Sequence, residues 1–153
     1  MTTGLPFDDF RNLIKALPGP NEAARARAAE HGGKLSAQGP SLGRLGAIAE
    51  WLAAWTGREP KVTRPLVALF AGTHRGVPGS KERTQAMVER AAAGGAMVCQ
   101  LCAANDLGLK VFDLALHMPV GDIAEDAALD ERGCAATMAF GMEAIAGGID
   151  LVC

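Results

Sequence analysis

The chain has 153 residues, of which 49% are hydrophobic and 21% are charged, and this balance excludes an intrinsically disordered protein. Fifteen basic and seventeen acidic residues give a formal net charge of −2, so no overall basic field exists to hold nucleic acid or an anionic membrane. The length fits one compact domain, or part of a larger one, whose core needs no disulfide staples.

The N-terminus and the hydrophobic segments predict a cytoplasmic protein. Asp8 and Asp9 stand where a secretory signal would carry basic residues before an apolar run. No stretch reaches the roughly 18–20 consecutive apolar residues of a membrane-spanning helix. In the cytoplasm the four cysteines are expected to be reduced thiols.

Residues 1–60 have the periodicity of helices. Apolar side chains recur at helical spacing over residues 7–17, and a Pro-Gly-Pro sequence then ends that segment. A second helix is predicted to begin after Asn21, which can cap it, and to end at Gly32 and Gly33. A third, over residues 41–57, carries one apolar stripe and ends at a glycine. We therefore expect residues 1–60 to form an N-terminal helical subdomain.

From residue 61 onward the pattern changes to short apolar runs separated by longer segments. Residues 65–72, 109–116 and 149–153 are typical of buried parallel strands. One long alanine-rich helix is predicted over residues 81–105, and one or two helices over residues 125–148. This alternation predicts an α/β fold with a parallel sheet and right-handed crossovers, so residues 61–153 would form the first βαβαβ portion of an α/β domain.

In open parallel sheets the ligand lies beyond the carboxyl ends of the strands. Thr73 and His74 follow the first predicted strand, and His117 follows the second. Three glycines near His74 would let a ligand approach the backbone, but the loop lacks the Gly-Lys-Ser/Thr ending of a Walker phosphate loop. His74 is therefore either a site residue or an ordinary loop histidine, and the sequence leaves both open.

Further candidates lie on the predicted long helix. Ser80, Thr84 and Gln85 occupy its first turns, where the helix N-terminus favours an anion or a polar ring edge. For Ser80, helix capping is the favoured interpretation. Gly94 and Gly95 would each cost ~1 kcal/mol relative to alanine inside a helix, which indicates close approach to another backbone or to a ligand.

Two other features have a structural and a functional interpretation. Cys99 and Cys102 form a C-x-x-C pair, but a redox pair belongs at a helix N-terminus and a zinc site needs more ligands. Their predicted place deep in the long helix favours two buried apolar side chains. Asp113 lies in an otherwise apolar strand and needs a partner, so it is either a hydrogen-bonding residue at the sheet end or a site residue.

Four segments, taken in order, resemble one enzyme family. They are PSLGRLGAIAEWLAAWTG, RPLVALFAGTH, TQAMVERAAAGGA and LGLKVFDLAL. Together they are similar to the nicotinate-nucleotide:dimethylbenzimidazole phosphoribosyltransferase family, over about its N-terminal half. The resemblance implies a Rossmann-like three-layer parallel sheet, present here in part, and a homodimer. It also implies transfer of phosphoribosyl from nicotinate mononucleotide to 5,6-dimethylbenzimidazole in cobalamin biosynthesis, with no cofactor.

The resemblance places several candidate residues in family motifs. Thr73 stands where the family has Asp or Asn in an A-G-[DN]-H turn, and Gln85 stands one position away from the glutamine of its T-x-Q-M motif. One position on a helix is a rotation of ~100°, which would aim the amide away from its original target. With Ser80 from the helix start, the candidate substrate-binding residues are Thr73, His74, Ser80, Thr84, Gln85, Gly94, Gly95 and Asp113.

No residue of this chain is assigned as catalytic. In the family, a loop of the nucleotide site follows the strand that corresponds to residues 149–153, and the general-base glutamate comes near the C-terminus. The first hypothesis is therefore a phosphoribosyltransferase whose 153 residues do not turn over alone. The alternative is a truncated, non-catalytic remnant that binds a benzimidazole-like base or a partner protein. A redox function of the C-x-x-C pair is a third. No metal, nucleic acid or membrane is expected as a partner.

Overall fold

The computed structural model describes residues 4–153, which contain six α-helices and three β-strands. The described residues divide into two compact units. One is helical and comprises residues 10–61, and the other is an α/β unit that comprises residues 62–153 with the segment up to Asp9. None of the helices in residues 4–153 combines the length and the apolar character that a bilayer crossing requires.

The first three helices are α1 (Asp8–Lys15), α2 (Glu22–Gln38) and α3 (Arg44–Thr56). Asn21 caps α2, since its side-chain oxygen accepts a hydrogen bond from the Ala24 amide at 2.9 Å. The Asn21 amide donates in turn to the carbonyl of Ala54 at 2.7 Å, which joins the start of α2 to the end of α3. Buried alanines let the two helices pack closely. Gly57 ends α3 in the left-handed conformation, as predicted.

Two predicted helix boundaries in this unit are wrong. Helix α2 does not end at Gly32 and Gly33 but continues to Gln38. Both glycines are helical, and a Glu30–Lys34 ion pair of 2.7 Å spans them on the exposed face. Helix α3 starts at Arg44 rather than at Ser41, because the Ser41 hydroxyl accepts a hydrogen bond from the nearby Gly43 amide and closes a local turn instead.

The α/β unit contains a parallel sheet of strands β1 (Pro65–Ala71), β2 (Gly108–Asp113) and β3 (Leu151–Val152) in the order β2-β1-β3. Both neighbouring pairs are parallel, which confirms the predicted α/β fold as a partial Rossmann-like sheet. Phe70 and Phe112 lie in register on adjacent strands and stack at 5.0 Å. The ring of Phe140 contacts Phe112 edge-on at 6.2 Å.

Asp150 ties the start of β3 to the start of β1. Its carboxylate accepts hydrogen bonds from the Thr63 amide at 2.8 Å, from the Thr63 hydroxyl at 2.7 Å and from the Arg64 amide at 2.9 Å. These residues lie 86 and 87 positions away along the chain. One carboxylate therefore fixes the amino end of the sheet.

The remaining helices are α4 (Ser80–Ala92), α5 (Met97–Ala104) and α6 (Glu131–Ile145). The single long helix predicted over residues 81–105 is wrong, because the chain leaves α4 at Gly94, which has φ of +75°. The break puts Cys99 in the first turn of α5, not deep in a helix. Its thiol donates to the Ala91 carbonyl at 3.3 Å, and Cys99 is half-buried whereas Cys102 is buried.

Candidate functional site

The loops that follow β1 and β2 pair with each other beyond the carboxyl end of the sheet. The Val120 amide donates to the Thr73 carbonyl at 2.9 Å, and the Arg75 amide donates to the Val120 carbonyl at 3.1 Å. This pairing continues the parallel β1–β2 ladder by one bridge, between His74 and Val120. The two loops therefore hold their side chains against each other at the edge where α/β proteins bind ligands.

A tight turn follows β2 and fixes Asp113 at this edge. The Asp113 carboxylate accepts a hydrogen bond from the Leu116 amide at 2.9 Å through Oδ1. Ala115, between them, has φ of +55°, and its carbonyl accepts from the Met118 amide at 2.7 Å. A left-handed alanine costs roughly 1–2 kcal/mol. Backbone strain of this kind is often found at active sites and ligand-binding sites.

Two hollows open at this turn. The larger, which we call the groove, has a volume of about 770 Å³ and is lined by the two loops and by α6. Its lining includes Thr73, His74, Asp113, His117 and Phe140. The smaller, which we call the cleft, has a volume of about 370 Å³ and lies against α4.

The cleft and the groove share a wall. Lys81, Gln85, Val88 and Glu89 of α4 line one side of the cleft, and Asp113, Leu116 and His117 line the other. Asp113 and His117 also line the groove. These two side chains therefore stand between two neighbouring hollows and face both of them.

Comparison with known proteins identifies the family. A family model described as Phosphoribosyltransferase matches residues 17–153. The chain is 62% identical over 156 residues to proteins named nicotinate-nucleotide–dimethylbenzimidazole phosphoribosyltransferase from Rhizobium etli, Rhizobium meliloti and Sinorhizobium medicae. The chain belongs to this phosphoribosyltransferase family. Each match covers 99% of this chain and 46% of the relative, so the chain spans about half the length of the curated relatives it matches.

The family assignment confirms the resemblance found in the sequence, and the structure distributes the candidate substrate-binding residues over separate places. Thr73, His74 and Asp113 line the groove. Gln85 lines the cleft beside Asp113, despite the predicted rotation of its position, and its amide donates to Glu89 at 3.0 Å. Gly95 lines a third hollow of about 320 Å³ between α4 and α5.

The other three candidates lie outside these hollows. The Ser80 hydroxyl accepts a hydrogen bond from the His74 amide at 3.2 Å, so Ser80 supports the loop that carries His74. The Gly94 carbonyl accepts from the Gln100 side chain at 3.1 Å, which stabilises the break between α4 and α5. Thr84 is half-buried on α4, one residue before Gln85.

His117 lines both hollows but is not among the residues selected from the sequence. It lies just beyond the carboxyl end of β2, as His74 does beyond β1. Its position after a strand could have marked His117 as a candidate, but no family motif included it.

Within residues 4–153, no three His, Cys, Asp or Glu side chains lie close enough together to hold a metal ion.

Proposed function

We propose that this chain forms part of the active site of an enzyme that transfers phosphoribosyl from nicotinate mononucleotide to 5,6-dimethylbenzimidazole in cobalamin biosynthesis. Family membership and the names of the relatives support the reaction. The observation that carries it is the pair of hollows with a shared wall. A group transfer between two small molecules requires the reacting atoms to be held about 3–3.5 Å apart, so such a reaction needs two neighbouring binding sites.

In this proposal the cleft takes the benzimidazole. Val88 and Leu116 offer apolar surface to a flat ring system, while Gln85 and Asp113 offer polar atoms. Asp113 uses Oδ1 for the turn, and its second oxygen would accept the N–H of the base. The other ring nitrogen keeps its lone pair and is the nucleophile of the transfer.

The groove, which has twice the volume of the cleft, takes the nucleotide. Phe140 and Met118 provide apolar surface for the nicotinate ring, and Thr137 provides a hydroxyl. In the transfer, the benzimidazole nitrogen forms a bond to C1′ of the ribose and the bond from C1′ to the nicotinate nitrogen breaks. Nicotinate leaves with that electron pair, and the N–H proton of the base goes to a carboxylate. In this proposal, the residues of this chain bind both reactants and hold them in position.

The test is calorimetric titration of the purified 153-residue chain with dimethylbenzimidazole. We expect saturable binding that weakens by about tenfold in Gln85→Leu, which removes polar atoms from the cleft. Gln100→Leu is the matched control, because this exposed glutamine lies on α5 and bonds to Gly94. Absence of saturation, or equal losses in both variants, would contradict the proposed base site.

A second assay measures release of nicotinate from nicotinate mononucleotide. We expect no base-dependent release by the 153 residues alone, because the relatives named for this activity are about twice as long. Binding without release is expected both for a chain that forms part of an active site and for the alternative, a non-catalytic base-binding protein. Base-dependent release above the control without protein would place all of the required groups within this chain.

We also propose that the chain acts in the cytoplasm and as a homodimer. Leu45, Ile48 and Trp55 are exposed along one face of α3, and an apolar stripe of this kind needs a partner. Sedimentation of the purified chain would measure the association state. A monomer at all concentrations, with the same sedimentation coefficient for Trp55→Ser, would refute the dimer.

A further inference from the structure

Thr73 is the one buried polar side chain within residues 4–153, with 2% of its surface exposed. Its hydroxyl donates a hydrogen bond of 3.0 Å to the carbonyl of Leu116, 43 positions further along the chain. Thr73 lines the groove, whereas Leu116 lines the cleft. This hydrogen bond therefore runs from one hollow to the other, across the shared wall.

The groups on both sides of this bond are held in place. On the β1 side, the Thr73 carbonyl accepts from the Val120 amide at 2.9 Å. On the β2 side, the turn formed by Asp113, Ala115 and Leu116 fixes the direction of the Leu116 carbonyl. The hydroxyl of Thr73 links these two constrained segments. Its hydrogen bond to Leu116 occupies the hydroxyl proton, so that proton is not available to a ligand.

We propose that Thr73 is a positioning residue, which sets the spacing between the cleft and the groove and contacts neither substrate through its hydroxyl. The inference rests on the proposed function, in which the base and the nucleotide occupy these hollows. A displacement of about 1 Å between reacting groups can cost on the order of 100-fold in rate. A buried hydrogen bond between the two loops limits such displacement.

Two variants and a control test this role. Thr73→Val keeps the shape of the side chain and removes the donor, whereas Thr73→Ser keeps the donor. Thr56→Val is the matched control, because the Thr56 hydroxyl also donates to a carbonyl, that of Leu52 at 2.7 Å, on helix α3 of the helical unit. Each protein is titrated with dimethylbenzimidazole, and amide hydrogen exchange of Val120 is measured without ligand.

We expect Thr73→Val to weaken dimethylbenzimidazole binding by about tenfold and to accelerate Val120 exchange, since the buried Leu116 carbonyl loses its donor. Thr73→Ser should restore both quantities to within about twofold, and Thr56→Val should change neither. Weaker binding with unchanged Val120 exchange in Thr73→Val would mean direct contact with the ligand and would overturn the inference. Unchanged binding in that variant would overturn it as well.

Failure of the proposed function gives a different result. If the unmodified chain does not bind dimethylbenzimidazole, the base site is wrong, and Val120 exchange alone decides the role of Thr73. Accelerated exchange in Thr73→Val with rescue in Thr73→Ser would then support the link between the loops. Equal exchange in all four proteins would refute it.

Discussion

Replacement of Asp113 by asparagine separates the two tasks that the structure gives to this carboxylate. One oxygen, Oδ1, accepts the Leu116 amide at 2.9 Å and holds the turn after β2. In the proposed complex the second oxygen accepts the N–H of dimethylbenzimidazole. Asparagine retains a carbonyl oxygen for the turn but presents an NH₂ group in place of the second oxygen. The turn should therefore persist, while the ligand acceptor disappears.

The magnitude follows from the type of hydrogen bond that is lost. A hydrogen bond to a charged group contributes about 1.5–3 kcal/mol, which corresponds to a rise of roughly 10- to 150-fold in Kd. Asp113→Ala would lose the turn contact too, so its unfolding free energy should fall by a further ~1 kcal/mol. Calorimetry with dimethylbenzimidazole and urea unfolding followed by circular dichroism measure the two quantities.

Asp106→Asn is the matched control for the change of charge. Asp106 is exposed between α5 and β2 with φ of +55°, a conformation that asparagine also tolerates. Its variant should bind the base as the unmodified chain does. Equal affinities for Asp113→Asn and the unmodified chain would refute the assignment of the cleft to the base. An equal loss in Asp106→Asn would attribute the effect to net charge rather than to a hydrogen bond.

Three further predictions concern stability. Asp150→Ala should lower the free energy of urea unfolding by ~2 kcal/mol, because three donors lose a charged acceptor at the amino end of the sheet. Asp130→Ala is the comparison, since it removes one helix-cap hydrogen bond of 2.6 Å. A smaller loss of stability in Asp150→Ala than in Asp130→Ala would contradict this prediction. Gly76→Ala should lower the free energy of unfolding by ~1–3 kcal/mol, because its Cβ would lie 2.8 Å from Asp122 Oδ2. Most of this loss should disappear when Gly76→Ala is combined with Asp122→Ala. Gly33→Ala should stabilise α2 by ~1 kcal/mol, because nothing lies within 4 Å of the added methyl group, and unchanged unfolding would refute this.

Two glycine pairs show how far local sequence predicts helix boundaries. The prediction ended a helix at Gly32 and Gly33 and continued one through Gly94 and Gly95, and the structure reverses both outcomes. Each pair lies in an alanine-rich, helix-favouring context, so local propensity is similar. The difference lies in tertiary and side-chain contacts: an ion pair spans the first pair, whereas the Gln100 side chain bonds to the Gly94 carbonyl and holds a positive φ. Propensity alone does not contain that information.

The carboxyl edge of the sheet could be predicted, but the arrangement of the two loops beyond it could not. Short apolar runs with intervening helices are sufficient for a parallel sheet, and a parallel sheet places the ligand beyond its carboxyl edge. Thr73 and His74 became candidates in this way, whereas Asp113 became one because a carboxylate in an apolar strand needs a partner. The buried orientation of Thr73 depends on a carbonyl 43 residues away, and the place of His117 between two hollows depends on the turn at Ala115. Both are properties of loop pairing, which has no periodic signal in the sequence.

The strain at Ala115 fits this arrangement. A left-handed alanine would relax by opening the turn, which would move the Leu116 carbonyl away from Thr73. Three hydrogen bonds oppose that relaxation: the Thr73 hydroxyl donates to the Leu116 carbonyl, the Leu116 amide donates to the Asp113 carboxylate, and the Met118 amide donates to the Ala115 carbonyl. Several hydrogen bonds, which involve both loops, therefore hold the turn in its strained conformation. A strained conformation kept in this way places Asp113 and His117 on the wall between the cleft and the groove, where the proposed transfer reaction requires fixed distances.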